Sequence, residues 1–291
     1  AFKNTVNPTL DVLSLMFGIE ELKIDVVNRV NAQTSETRKK NKIEGTMIAL
    51  ENATGYITAL VGGSEYGQDN QFIRAVQARV QPGSSFKPLY YTAAIASKKF
   101  TATSVIYDVP TIFKKDDGSL YIPQNNKGEW YGPVQLWYAL TRSMNVPSLK
   151  ILRDIGFDAA INQAGALLGL KPQEYAERKL EKVYPVGLGV CSVRPIEMAR
   201  AFAIFANQGK EVVPMAIRSV EDRNGKVILN PERDIRLAQQ AKGEAAQIIS
   251  PQTAYIMTDL LTNTVTHPRG TLGYGSSWGK KMQYKDANGR L

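Results

Sequence analysis

A switch in apolar spacing constrains the fold of this chain more than any other feature. Between Gly45 and Gly63, the stretches Thr46-Met47-Ile48-Ala49-Leu50 and Tyr56-Ile57-Thr58-Ala59-Leu60-Val61 flank Asn52-Ala53-Thr54-Gly55, the arrangement of a β-hairpin. Beyond it the spacing turns helical. Segments 86–97, 136–143, 159–168, 195–207 and 251–263 carry apolar residues three and four apart, with Ser, Asp or Pro near their starts. A second hairpin is predicted from 215–220 and 227–229 around Asn224-Gly225, a turn pair that favours positive φ. Strands at the start and a mostly helical middle predict a mixed α/β (α+β) fold, in which helices cover antiparallel strands.

At 291 residues and 43% hydrophobic content the chain can bury a substantial core. Residues 1–44 differ from the rest. A polar start leads into an amphipathic segment (Ile19, Leu22, Val26, Val27, Val30) and then into the basic run Arg38, Lys39, Lys40, Lys42. They read as a connector preceding a main domain at 45–291.

Charge and side-chain inventory exclude several chemistries. The formal charge of +9 favours anionic surroundings such as nucleic acid, lipid or an acidic polymer. The densest basic run has no interleaved aromatics to stack on bases, so it reads as a solvated face and no nucleic-acid partner is expected. A single cysteine, Cys191, gives no disulfide framework and no cysteine-cluster metal site, and reads as a small buried residue. A single histidine, His267, lies in the turn-like Thr266-His267-Pro268-Arg269-Gly270 and leaves triad chemistry and histidine-ligated zinc on one poorly placed candidate. Neither metal nor cofactor is expected. No run of about eighteen apolar residues crosses a membrane, and the N-terminus lacks the zones of a signal peptide.

The chemistry concentrates in Gln81-Pro82-Gly83-Ser84-Ser85-Phe86-Lys87-Pro88. Pro82-Gly83 makes a turn, Ser84 caps or opens a helix, and Pro88 falls where a missing N–H costs least. On a helix, Ser84 and Lys87 share a face, so the amine can reach the hydroxyl. Lysine serves as a base only where burial or positive potential lowers its pKa, and a helix N-terminus favours both a neutral amine and a developing alkoxide. Ser-x-x-Lys alone recurs by chance in many capped helices. Ser143-Met144-Asn145, following a predicted helix, adds a hydroxyl able to relay a proton and an amide able to orient lysine and substrate. In isolation that string reads as a helix C-cap and turn.

Longer strings carry a resemblance. Residues 74–88, Arg-Ala-Val-Gln-Ala-Arg-Val-Gln-Pro-Gly-Ser-Ser-Phe-Lys-Pro, resemble the nucleophile region of class A penicillin-binding proteins. The likeness continues through Ala59-Leu60-Val61-Gly62-Gly63, Pro123-Gln124-Asn125-Asn126, Gly132-Pro133-Val134, residues 139–148, Gly187-Leu188-Gly189, residues 192–199 and residues 249–255. The resemblance implies the penicillin-recognising serine transpeptidase or β-lactamase-like fold, with a central antiparallel sheet and a mostly helical subdomain. It also implies a mechanism: Ser84 attacks a D-Ala-D-Ala peptide to form an acyl-enzyme, and another strand's amine resolves it into a cross-link. Lys87, Ser143 and Asn145 would handle protons and orientation, with Ser85 and Gly187 on the substrate side, and β-lactams would acylate the same serine. For the parent protein it further implies a glycosyltransferase domain, a membrane anchor, an extracytoplasmic (periplasmic) location and cell-wall synthesis partners.

One departure bears on competence. The family's Lys-Thr-Gly motif is absent, and Gly279-Lys280-Lys281-Met282 is the nearest string. The chain is expected to stop just before that strand, as a fragment not competent by itself. A noncatalytic scaffold and a D,D-carboxypeptidase stay open as alternatives. Gly275-Ser276-Ser277-Trp278-Gly279 matches the nucleophile-elbow pattern, but no strand pattern precedes it and the histidine lies upstream, so it reads as a loop.

Overall fold

The computed structural model describes Arg29 and residues 43–272 other than Asp69, Asp116, Asn126 and Lys127. The amphipathic segment at 19–30, the basic run at 38–42 and the strings at 275–282 lie outside the described residues. The chain divides into two compact units, Ala1–Gly45 and Thr46–Leu291. The second carries every element and side chain described below.

The first hairpin forms where the alternating apolar stretches predict it. β1 (Met47–Leu50) pairs antiparallel with β2 (Ile57–Val61), and the register slips between Ala49 and Leu50. Gly55 closes the turn at φ +80, and a Cβ there would stand 2.2 Å from the Val213 carbonyl oxygen, so this position takes no side chain. Met215 lies alongside, accepting from Ile57 N–H at 2.9 Å and donating to the Gly55 carbonyl at 2.8 Å. The second hairpin is shorter than the sequence suggests: β7 (Val220–Glu221) pairs with β8 (Val227–Leu229), because Met215 is committed to the first hairpin.

After the four-residue α1 (Arg74–Gln77), a 3-10 turn at Gly83–Phe86 leads into α2 (Lys87–Ala96). Lys87 through Ile95 are all buried, which marks a central helix packed on every side. Two small antiparallel pairs follow: β3 (Val105–Asp108) with β6 (Gly132–Gln135), and β4 (Phe113–Lys114) with β5 (Leu120–Tyr121). The remaining helices are α3 (Leu136–Thr141), α4 (Asn145–Ile155), α5 (Phe157–Leu168), α6 (Pro195–Ala206), α7 (Pro231–Lys242) and α8 (Pro251–Thr266). α4, α5 and α8 pack on α2. Leu89, Tyr90 and Ala94 of α2, Leu149 and Leu152 of α4, Ala164 and Leu167 of α5, and Met257 of α8 share one buried core.

Helices α4 and α7 go beyond the sequence reading. Ser143-Met144-Asn145 does end one helix, but it also begins the next. α7 is polar enough that none of its residues is buried, and so it has no apolar stripe to detect.

Candidate active site

Gly83, at φ +57, turns the chain so that Ser84 enters the 3-10 segment, and the Lys87 backbone N–H donates to the Ser84 carbonyl. In a 3-10 turn residues i and i+3 are eclipsed, which puts Ser84 and Lys87 on one side. Ser84 opens the helix without capping it. Ser85 is the residue whose hydroxyl ties the turn, donating to the Pro82 carbonyl at 2.7 Å. Ser84 is exposed, and among the described residues its hydroxyl has no hydrogen-bond partner.

Lys87 shows 0% exposure, carried inward by the start of α2. Its Nζ lies 2.7 Å from the Ser143 carbonyl oxygen, 2.9 Å from Asn145 Oδ1, 3.2 Å from Ser143 Oγ and 3.3 Å from the Met144 carbonyl oxygen. Desolvation lowers the amine from its ordinary 10.5 to about 7. The structure thus gathers Lys87, Ser143 and Asn145, with Ser84 exposed in the 3-10 turn that leads into Lys87. Ser143 adopts φ +53, a left-handed conformation that turns its hydroxyl and carbonyl together toward the amine.

Asn145 is held from both sides. Its Nδ2 donates to the Gln124 carbonyl at 2.9 Å and its backbone N–H donates to Asn125 Oδ1 at 3.0 Å. Asn125 Nδ2 in turn donates to Asp108 Oδ1 at 2.6 Å. In the sequence Pro123-Gln124-Asn125 carries the family likeness but no visible task, because a side chain that caps a helix 20 residues away leaves no local signal.

Gly187 sits behind the turn, in the 3-10 segment Tyr184–Leu188. Its carbonyl accepts from Tyr90 Oη at 3.2 Å, and a Cβ there would meet Leu152 at 2.7 Å and Leu149 at 3.0 Å. Cys191 is buried, and burial pushes its thiol up to about 12, which keeps it protonated. His267 ends α8, where its Nδ1 accepts from the Arg269 backbone N–H and its ring meets Trp137 and Tyr138 edge-on. Among the described residues no cluster of His, Cys, Asp and Glu could hold a metal ion.

An exposed serine, an amine whose pKa burial lowers to about 7 and a second hydroxyl against that amine are the parts a serine acyl-transfer site needs. The penicillin binding protein transpeptidase domain family matches residues 45–285. Penicillin-binding protein 1A of Neisseria gonorrhoeae is 36% identical over 225 residues, which cover 77% of this chain and 27% of that protein. The protein of the same name from Pseudomonas aeruginosa is 32% identical over 270 residues, covering 78% of this chain and 32% of its own. The crystal structure of penicillin-binding protein 1A from Haemophilus influenzae superposes with a TM-score of 0.66 at 28% identity, over 81% of this chain and 36% of that one. The chain therefore spans roughly a quarter to a third of the length of these relatives.

Proposed function

This chain belongs to the penicillin-binding protein transpeptidase domain family, and on that basis we propose that it supplies the acyl-transfer centre of a peptidoglycan D,D-transpeptidase. The observation that carries the proposal is the Lys87 amine, fully buried and lowered to about 7, lodged against Ser143 and Asn145 one turn from an exposed and unpartnered Ser84.

A neutral amine has two N–H donors and one lone pair. The Ser143 carbonyl and Asn145 Oδ1 are the two nearest acceptors, which leaves the lone pair for a proton from a hydroxyl. Ser84 Oγ bonds to the carbonyl carbon of the penultimate D-Ala, and its proton passes to Lys87 Nζ, directly or through Ser143 Oγ. The amide C–N bond then breaks, and the departing D-Ala amine takes that proton. A second stem peptide's amine attacks the resulting ester and gives a proton to Lys87, and Ser84 Oγ leaves reprotonated. Asn145 keeps the amine in line and offers its amide edge to the substrate backbone. Ser85, exposed beside the nucleophile, belongs to the substrate side of the turn, and Gly187 to its supporting wall.

The substrates are stem peptides ending in D-Ala-D-Ala, and β-lactams, whose strained amide presents the same carbonyl, acylate Ser84. The full-length protein acts on the extracytoplasmic side of the membrane as a bifunctional enzyme that also polymerises glycan. Among the described residues no helix is long and apolar enough to cross a membrane.

The test is intact-mass spectrometry of the full-length gene product after incubation with a penicillin. One penicilloyl adduct, lost in Ser84→Ala, is the expected result. A folded protein that forms no adduct would overturn the proposal.

A further inference from the structure

We propose that Asp108 and Asn125 are a positioning pair, which fixes where Asn145 stands and, through it, where the Lys87 amine stands. The inference rests on the transpeptidase reading for its activity measurement and on the geometry alone for the rest.

Helix α4 carries no cap of its own, because Met144 at its N-cap makes no side-chain bond to the helix. Its first amides, Asn145 N–H and Val146 N–H, both donate to Asn125 Oδ1, at 3.0 and 3.2 Å. The cap thus comes from another part of the chain. An asparagine amide can enter such a site either way round, and only one way presents its oxygen to the helix. Asp108 makes that choice. Its Oδ1 accepts from the Asn125 nitrogen at 2.6 Å, which leaves the Asn125 oxygen facing α4. Asp108 is itself fixed: it is fully buried at the end of β3, lies opposite Gly132 in the β3–β6 ladder, and its Oδ2 accepts from Tyr131 N–H at 3.1 Å. A weaker bond from Asn125 Nδ2 to the Glu129 carbonyl, at 3.2 Å, holds the same orientation. The chain of contacts runs from a buried acid through one amide to a helix start, and the first side chain of that helix accepts from Lys87 at 2.9 Å. Neither Asp108 nor Asn125 bonds to Ser84 or Lys87, so their effect is on placement.

The pair predicts a reciprocal exchange. In Asn125→Asp, a carboxylate faces Asp108 and the donor between them is lost. In Asp108→Asn, the acceptor that sets the amide orientation is gone. The exchange variant combines Asp108→Asn with Asn125→Asp. In it the amide at position 108 donates to the carboxylate at position 125, and that carboxylate accepts from both α4 amides. The oxygen of the amide at 108 accepts from Tyr131 N–H, and only the 3.2 Å bond to Glu129 is missing. The experiment compares wild type, both single variants and the exchange in the full-length protein, recording penicillin acylation rate, melting temperature, and hydrogen exchange at the Asn145 and Val146 amides. Since a displacement of about 1 Å near a reacting centre costs about 100-fold in rate, each folded single variant is expected to lose roughly 10- to 100-fold and the exchange to return within about five-fold of wild type. Amide protection at Asn145 and Val146 should fall in the singles and return in the exchange. Wild-type rates in both singles would overturn the inference, as would a folded exchange variant whose rate stays low or an exchange variant that fails to fold. Should a single variant not fold, the exchange alone decides. Should the wild type form no adduct, the transpeptidase reading fails, and the amide protection pattern still decides whether Asp108 and Asn125 hold the start of α4.

Discussion

The α-carbon of Gly189 lies so close to Gly83 that a Cβ added to it would stand 2.0 Å from the Gly83 carbonyl oxygen and 2.6 Å from its nitrogen. The segment ending in Gly189 therefore presses directly on the turn that presents Ser84. The contact is braced by Val80 and Val193, which exchange backbone hydrogen bonds at 2.9 and 3.0 Å.

Gly189→Ala is expected to damage both fold and activity. Its φ of +77 costs any L side chain about 1–2 kcal/mol, and the clash with backbone adds displacement of the Ser84 turn. Gly225→Ala is the matched control. It has φ +78 but nothing within 4 Å of the added Cβ, so only the backbone penalty applies. Acylation by penicillin should fall by about 100-fold in Gly189→Ala and stay unchanged in Gly225→Ala. Equal acylation rates in the two folded variants would show that the contact does not position Ser84.

Ser143→Gly separates stability from chemistry. Ser143 holds φ +53, a conformation glycine adopts without strain, so the variant should melt no lower than wild type. The variant also lacks the hydroxyl 3.2 Å from Lys87 Nζ, and loss of a proton relay of this kind slows reaction by about 100- to 10,000-fold. Melting temperature and acylation rate should therefore part company, and a folded variant acylating at the wild-type rate would remove Ser143 from the relay.

Lys87 makes the fold pH-dependent. Its folded value of about 7 lies below the ordinary 10.5, so between these values the unfolded chain binds the extra proton. Stability from this residue is lowest below pH 7, where both states are charged, and rises towards pH 10.5 by at most about 1.4 kcal/mol per pH unit. Lys87→Met removes the titration, so its stability advantage over wild type should shrink by about 2–3 kcal/mol between pH 7 and pH 9 in urea unfolding. A constant difference across that range would mean that the amine stays charged when buried. Between about pH 6 and pH 8 the wild-type acylation rate should climb through a midpoint near 7 as the amine loses its proton.

The part of this site that chemistry must specify locally is legible in the sequence. Ser84 and Lys87 need one turn of helix between them, and the turn, the helix start and the proline all lie within a single short string. The first hairpin is legible for the same reason, since Gly55 and the alternating strands adjoin. Asn145 is half legible: its residue type is visible, but the helix it begins is not, because the cap arrives from Asn125. Gly189 and Asp108 act on residues far from them in the chain, Gly83 and Asn125 respectively, and no spacing rule reaches so far. Helix α7 escapes for another reason. Asn230, which accepts from Arg233 N–H at 2.9 Å, and Pro231 after it are a good start signal, but the helix buries nothing and shows no periodicity to extend it.

A buried ion pair lies behind the bracing segment. Arg178 is 1% exposed, and its Nη2 lies 2.5 Å from Glu197 Oε1. Glu197 Oε2 also accepts from the Arg194 backbone N–H at 2.7 Å, closing the start of α6. Arg178 exchanges contacts with Ser192, accepting from its N–H at 2.8 Å and donating from Nη1 to its carbonyl at 3.4 Å. The pair thus anchors the stretch between Gly189 and Val193 that braces the Ser84 turn. Glu197→Gln leaves a guanidinium buried without its counter-charge, which costs about 3–5 kcal/mol. Adding Arg178→Met to Glu197→Gln removes the stranded charge while the Gln oxygen still accepts from the Arg194 N–H, and should restore most of that stability. The double variant still lacks the Arg178 side-chain bond to Ser192, so its acylation rate should remain below wild type even where its melting temperature recovers. Chemical unfolding combined with acylation rates across this double-mutant cycle tests both parts. A double variant as unstable as Glu197→Gln would assign the loss to packing around Arg178 and not to its charge.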